Sequence, residues 1–163
     1  VAGNAENIIV GAADVSVGGA DVGFTKGGVS VRYEPEFLSI KADQAVGTVR
    51  KARTDESMFV KTMLLEVTLE RMRQAFMQPS SHLTGGGKTL TLGYNNACWV
   101  DEVTIILVGV SPGCGTRTFT FTKCVAMGTR EYNMQRDEET SFEVEWEIVK
   151  DANGIFGTIV DSP

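Results

Sequence analysis

Ser141-Phe142-Glu143-Val144-Glu145-Trp146-Glu147-Ile148-Val149-Lys150 alternates apolar and charged residues with a period of two. Successive side chains of a strand point to opposite faces, so Phe142, Val144, Trp146 and Ile148 share one face and Glu143, Glu145 and Glu147 the other. Such a stretch is one strand of an antiparallel sheet with a packed side and a wet side. The pattern continues outward from it. Residues 8–17, 29–42, 58–67, 89–92, 103–110, 117–127 and 155–160 read as further strands, with a bend near Pro35, which lacks a ladder donor. Glycines clustered at 18–19, 27–28, 85–87 and 113–115 punctuate them. Asp151-Ala152-Asn153-Gly154 predicts a tight hairpin between the last two strands, because Asn-Gly readily supplies positive φ.

One helix interrupts the strands. In residues 68–77 the apolar Leu69, Met72 and Phe76 recur at three- and four-residue spacing. Thr68 is placed to cap the N-terminus, Glu70 favours the positive end of the dipole, and Pro79 stops the helix. The expected fold is therefore mainly β: an antiparallel sandwich or partial barrel with a single flanking helix laid apolar face down on a sheet.

The 163 residues fit one domain, and a hydrophobic fraction of 42% is enough to bury a core. No apolar run approaches the roughly 20 residues of a membrane-spanning helix. The opening residues have neither a basic head nor an apolar stretch, so they are expected to be no secretory signal. With 15 Lys and Arg against 21 Asp and Glu the net charge is -6. That balance lacks the basic footprint of a protein that grips nucleic-acid phosphates. Cys98, Cys114 and Cys124 form no Cys-x-x-Cys pair, and they are expected to be reduced thiols.

Little in the chain suggests catalysis. His82 is the only histidine, in a polar loop after the helix, so a two-histidine metal site is excluded. Gly85-Gly86-Gly87-Lys88-Thr89 looks like the end of a phosphate-binding loop, but the first required glycine is replaced by His82. It also follows a helix and leads into Thr-Leu-Thr-Leu, the reverse of the context such a loop needs. Glu143, Glu145 and Glu147 have no histidine or cysteine neighbours that would make them ligands, and they read as the charged face of an amphipathic strand. Asp137, Glu138 and Glu139 extend that acidic field. No catalytic residue, metal site or cofactor is expected. Trp99 and Trp146 read as core residues. The basic run Arg50-Lys51-Ala52-Arg53 lies between two strong strands. It is either a solvated hairpin tip or a contact loop that meets an acidic surface on a neighbouring copy.

The stretch Val22-Gly23-Phe24-Thr25-Lys26-Gly27-Gly28-Val29-Ser30-Val31 leads to Phe37-Leu38-Ser39-Ile40-Lys41-Ala42-Asp43-Gln44, and then to Val60-Lys61-Thr62-Met63-Leu64-Leu65-Glu66-Val67-Thr68-Leu69-Glu70-Arg71-Met72. This succession resembles the tail tube (major tail) proteins of tailed bacteriophages. The likeness covers residues 8–77 well and the remainder only by strand order. It implies a non-enzymatic virion subunit, made in the host cytoplasm, that forms stacked rings, expected to be hexameric, around a conduit for DNA ejection. Its partners would be further copies of itself and the tape measure, terminator and distal tail proteins, with a sheath protein in addition where the tail has one, DNA passing non-specifically and no membrane. It also implies a long inter-strand loop at 43–57, with Asp43, Gln44, Arg50, Lys51 and Arg53 as inter-ring contacts. Glu143, Glu145 and Glu147 become candidates for the lumen, where a negative wall would let DNA slide. Another self-assembling phage-derived component, such as a tail completion, distal tail or secretion-tube protein, fits the same texture. A ligand-binding β-sandwich is the third alternative.

Overall fold

The computed structural model describes residues 4–93, 101–128, 130–132 and 134–163. Among the described residues ten strands appear in chain order: β1 (Asp14–Val17), β2 (Ala20–Asp21), β3 (Thr25–Lys41), β4 (Thr48–Leu64), β5 (Leu83–Thr84), β6 (Thr89–Leu90), β7 (Val103–Val110), β8 (Thr116–Met127), β9 (Phe142–Ile148) and β10 (Gly157–Ser162). The helix α1 (Leu69–Ala75) lies between β4 and β5. Eight strands make one antiparallel sheet in the order β2-β1-β7-β8-β9-β4-β3, with β10 on β8, and the sheet does not close into a barrel. β5 and β6 form a separate small hairpin. The mainly β, antiparallel class with one flanking helix is thus the observed one.

Alternation decides which face is packed. Phe142, Val144, Trp146 and Ile148 of β9 are all at most 2% exposed. On the same face lie Val60, Thr62 and Leu64, which pair across the ladder with Trp146, Val144 and Phe142. Val15, Val17, Ile105, Leu107, Phe121, Cys124 and Ala126 complete that buried layer. Fully burying one such side chain is worth roughly 1.5–3 kcal/mol, so this layer supplies most of the driving force for folding. The indole N–H of Trp146 is buried without a hydrogen-bond partner among the described residues.

The helix caps this face. Thr68 Oγ1 accepts from the Arg71 N–H, as its N-cap position requires. Ala75 is buried, and Phe76 meets Phe142 edge-on with centroids 5.3 Å apart. The helix ends two residues before the expected 77. Gln78 N–H reaches back to Arg73 C=O at 2.9 Å, while Met77 takes a left-handed φ of 54°, so the chain has turned out of the helix before Pro79.

Three expectations are revised. Of residues 8–17 only the last four are strand, and Ile8, Ile9 and Val10 are exposed. The 151–154 turn does not make a hairpin of the flanking strands. β9 and β10 lie end to end along β8, at Cys124–Met127 and Thr116–Phe121 respectively. β8 has 12 residues and β9 only 7, which leaves room for both. The intervening residues fold on themselves, with Asp151 Oδ1 accepting from the N–H groups of Asn153 and Ile155. The third revision concerns residues 43–57. They are not a long loop: β4 begins at Thr48, and only residues 42–47 connect it to β3. Near Pro35, where a bend is expected, the β3–β4 register shifts between Glu36 and Phe37. Pro35 itself stays paired opposite Glu56 on the edge strand of the sheet, where a missing N–H is tolerated.

Candidate assembly surface

β3 and β4 are each 17 residues long, but β9 pairs with β4 only from Phe59 to Leu64. Beyond that point the two strands continue alone as a two-stranded arm, residues 34–41 and 48–57, that no other strand covers among the described residues. The register places Phe37 opposite Arg53 and Ser39 opposite Lys51, on the face continuous with the buried side of the sheet. Glu36 opposite Asp55, Leu38 opposite Ala52 and Ile40 opposite Arg50 occupy the other face. A register shift between Glu36 and Phe37 leaves Thr54 as the extra residue of a bulge.

Large apolar side chains on this arm stand in solvent. Phe37, Leu38 and Val49 are 53%, 57% and 59% exposed, and Ile40 and Val46 are exposed as well. The residues expected at an inter-ring contact are all here. Asp43 and Gln44 sit in the exposed turn at its tip, and Arg50, Lys51 and Arg53 lie along its second strand. The three cations do not make one patch, because strand alternation puts Arg50 on the opposite face from Lys51 and Arg53.

Glu56 organises the root of the arm. It accepts from Tyr33 Oη at 2.5 Å, from Arg53 Nη1 at 3.1 Å and from Lys150 Nζ at 2.6 Å. The bonds from Lys150 and Tyr33 lower its pKa to about 2, against a desolvation effect of opposite sign. The same bond raises the Tyr33 pKa, since the phenol proton is held by a carboxylate. The Arg53 guanidinium also lies over the Phe37 ring at 5.8 Å. Tyr33 and Glu56 were not singled out from the sequence, and Phe37, Leu38 and Ile40 entered it only within the stretch that carries the resemblance.

Glu143, Glu145 and Glu147 do share the outward face of β9. Their field is smaller than the sequence suggested. Lys61 Nζ lies 2.9 Å from Glu143, Arg32 Nη2 lies 2.8 Å from Glu145, and Lys26 pairs with Glu139. These cations come from β3 and β4, more than 80 residues earlier, so no local spacing could have announced them. Glu147 faces Phe59 and Val125 across its two ladders, and no ion pair reaches it among the described residues.

The motifs set aside in the sequence stay outside any site. His82 Nδ1 contacts Gln78 Oε1 at 3.2 Å and Thr91 C=O at 3.0 Å, which fixes a loop. Gly85, Gly86 and Gly87 all have positive φ in the turn joining β5 to β6, with no helix following to bind an anion. Among the described residues no three His, Cys, Asp or Glu side chains gather in a way that could hold a metal ion. No described helix is long and apolar enough to cross a membrane. Cys114 is exposed and Cys124 buried, both as free thiols, while Cys98 and Trp99 lie outside the described residues.

No protein-family model matches the chain, and no curated protein matches it. Solved structures do. A chain from the virion of a native gene transfer agent particle is similar at a TM-score of 0.46 and 12% identity, over 99% of this chain and 100% of that one. A likeness at that level carries no conclusion about function.

Proposed function

We propose that this chain is a structural, non-catalytic subunit of a phage-type tail tube. Copies associate into rings, hexameric by analogy with the family it resembles, and the rings stack into a conduit for DNA. The arm carries this reading. A two-stranded hairpin alone in water is marginally stable at best. Here it projects from the sheet with Phe37, Leu38, Ile40, Val46 and Val49 exposed. Exposed apolar groups of this kind mark a surface that another protein covers. Stacked copies would cover it, and the tape measure, terminator, distal tail and sheath proteins would meet the tube at its ends and outer wall.

Within this reading the outward face of β9 is the candidate lumen. Its carboxylates, two of them neutralised by Lys61 and Arg32, offer phosphates no counterion-releasing grip. Sedimentation velocity over a concentration series tests the proposal. The wild type is expected to form large species that a variant with residues 36–54 replaced by a short turn does not form. Equal behaviour of the two proteins would count against the arm as the assembly element.

A further inference from the structure

The two faces of the arm carry opposite charge. Glu36 and Asp55 are direct cross-strand partners on one face, and like charges placed opposite each other destabilise a strand pair. Asp55 Oδ1 accepts only from the adjacent Glu56 N–H at 2.8 Å, and no ion pair reaches Glu36 or Asp55 among the described residues. The cation on that face beyond them is Arg50, four residues of strand nearer the tip, roughly 13 Å away by strand rise.

The other face is the reverse. Lys41 and Lys51 lie on it, and no ion pair reaches either of them among the described residues. The anion on that side, Glu56, is already engaged by Tyr33, Arg53 and Lys150. Each face therefore holds charges that its own chain leaves unbalanced, and each face is what the other lacks.

We infer that arms of neighbouring copies stack face to face, the Glu36/Asp55 face of one against the Lys41/Lys51 face of the next. This deepens the self-assembly reading and rests on it, because the partner is a second copy of this chain. Sheets stacked in this way sit about 10 Å apart, within reach of Lys and Glu side chains. Leu38, Ala52 and Ile40 of one copy would be covered by Phe37 of the next. The contact is heterologous: every copy uses both faces, so copies add one after another and a ring or open stack follows. Eight paired residues span only about 26 Å, so the contact sets register and direction while other surfaces contribute most of the buried area.

Complementary charge reversal tests this. The Glu36→Lys/Asp55→Lys variant has two cationic faces, and the Lys41→Glu/Lys51→Glu variant has two anionic ones. Neither replaces Glu56, Arg53 or Tyr33, and unfolding midpoints close to wild type would show both folded. Each alone is expected to need about tenfold more protein than wild type to assemble in sedimentation velocity, because like faces then meet. An equimolar mixture is expected to recover to within about twofold of wild type, with the two variants alternating. The neutral variants Glu36→Gln/Asp55→Asn and Lys41→Gln/Lys51→Gln, expected to assemble weakly and gain nothing from mixing, provide the test should a reversed variant fail to fold. A wild type that assembles, with reversed variants that match it or a mixture no better than its parts, would overturn arm stacking and leave the tube reading standing. A wild type that stays monomeric would overturn both.

Discussion

Lys150 Nζ lies 2.6 Å from Glu56 Oε1, and this ion pair ties the loop between β9 and β10 to the root of the projecting arm. Tyr33 and Arg53 converge on the same carboxylate, so one side chain joins both arm strands to the body of the sheet. The Glu56 pKa, lowered to about 2, sets the sign of the pH response. A depressed carboxylate pKa adds stability that is present above its unfolded value, near 4.5, and is lost as pH falls through the folded one. Carboxyl-carbon NMR should show Glu56 titrating near 2, and Lys150→Ala should move that midpoint upward. A midpoint near 4.5 in the wild type would show that the Glu56 network does not form.

Gly157 anchors the last strand by having no side chain. A Cβ there would lie 2.3 Å from the Thr120 carbonyl oxygen and 2.6 Å from the Phe121 ring. Gly157→Ala must therefore shift β10 away from β8, at a cost of about 1–3 kcal/mol, comparable to overpacking a core. Chemical unfolding measures the loss, and faster amide exchange confined to residues 157–162 would locate it.

The two described thiols should differ in reactivity. Burial pushes the Cys124 pKa up to about 12, whereas Cys114 is exposed. In a Cys98→Ser background a thiolate-specific reagent at pH 8 is expected to modify Cys114 promptly and Cys124 only as the protein unfolds. Two equally fast sites would contradict the packing of β8.

Thr68→Ala should weaken α1. The Thr68 hydroxyl accepts the Arg71 N–H at 3.3 Å, and losing an N-cap of this type costs about 1 kcal/mol. Thr68→Ser should retain most of that stability in thermal unfolding. The pair of variants separates the capping contact from the threonine methyl group.

The legible parts of the molecule were those where burial imposes a period. Residues 141–150 announced β9 because one of its faces is dry and the other wet, and residues 68–77 announced the helix through Leu69, Met72 and Phe76. The first half of β4 was not legible for the same reason. Residues 48–57 are solvated on both faces, so nothing sorts Arg50, Lys51 and Arg53 from their neighbours, and the stretch read as loop. The Asn-Gly turn misled because a turn signal specifies local geometry, whereas the partner of β10 was decided by spare length on β8. The charge on the β9 face was overestimated because Lys61 and Arg32 reach it only through tertiary pairing. Asp43, Gln44, Arg50, Lys51 and Arg53 all fall on one projecting strand pair and its tip, but the register that divides them between two faces belongs to the folded strand pair.

The most direct measurement is negative-stain electron microscopy of the purified protein over a concentration series, with light scattering alongside. The account predicts hollow tubes or stacked rings of uniform width that appear as concentration rises. A monodisperse monomer at the highest concentration, under every salt condition tried, would contradict it.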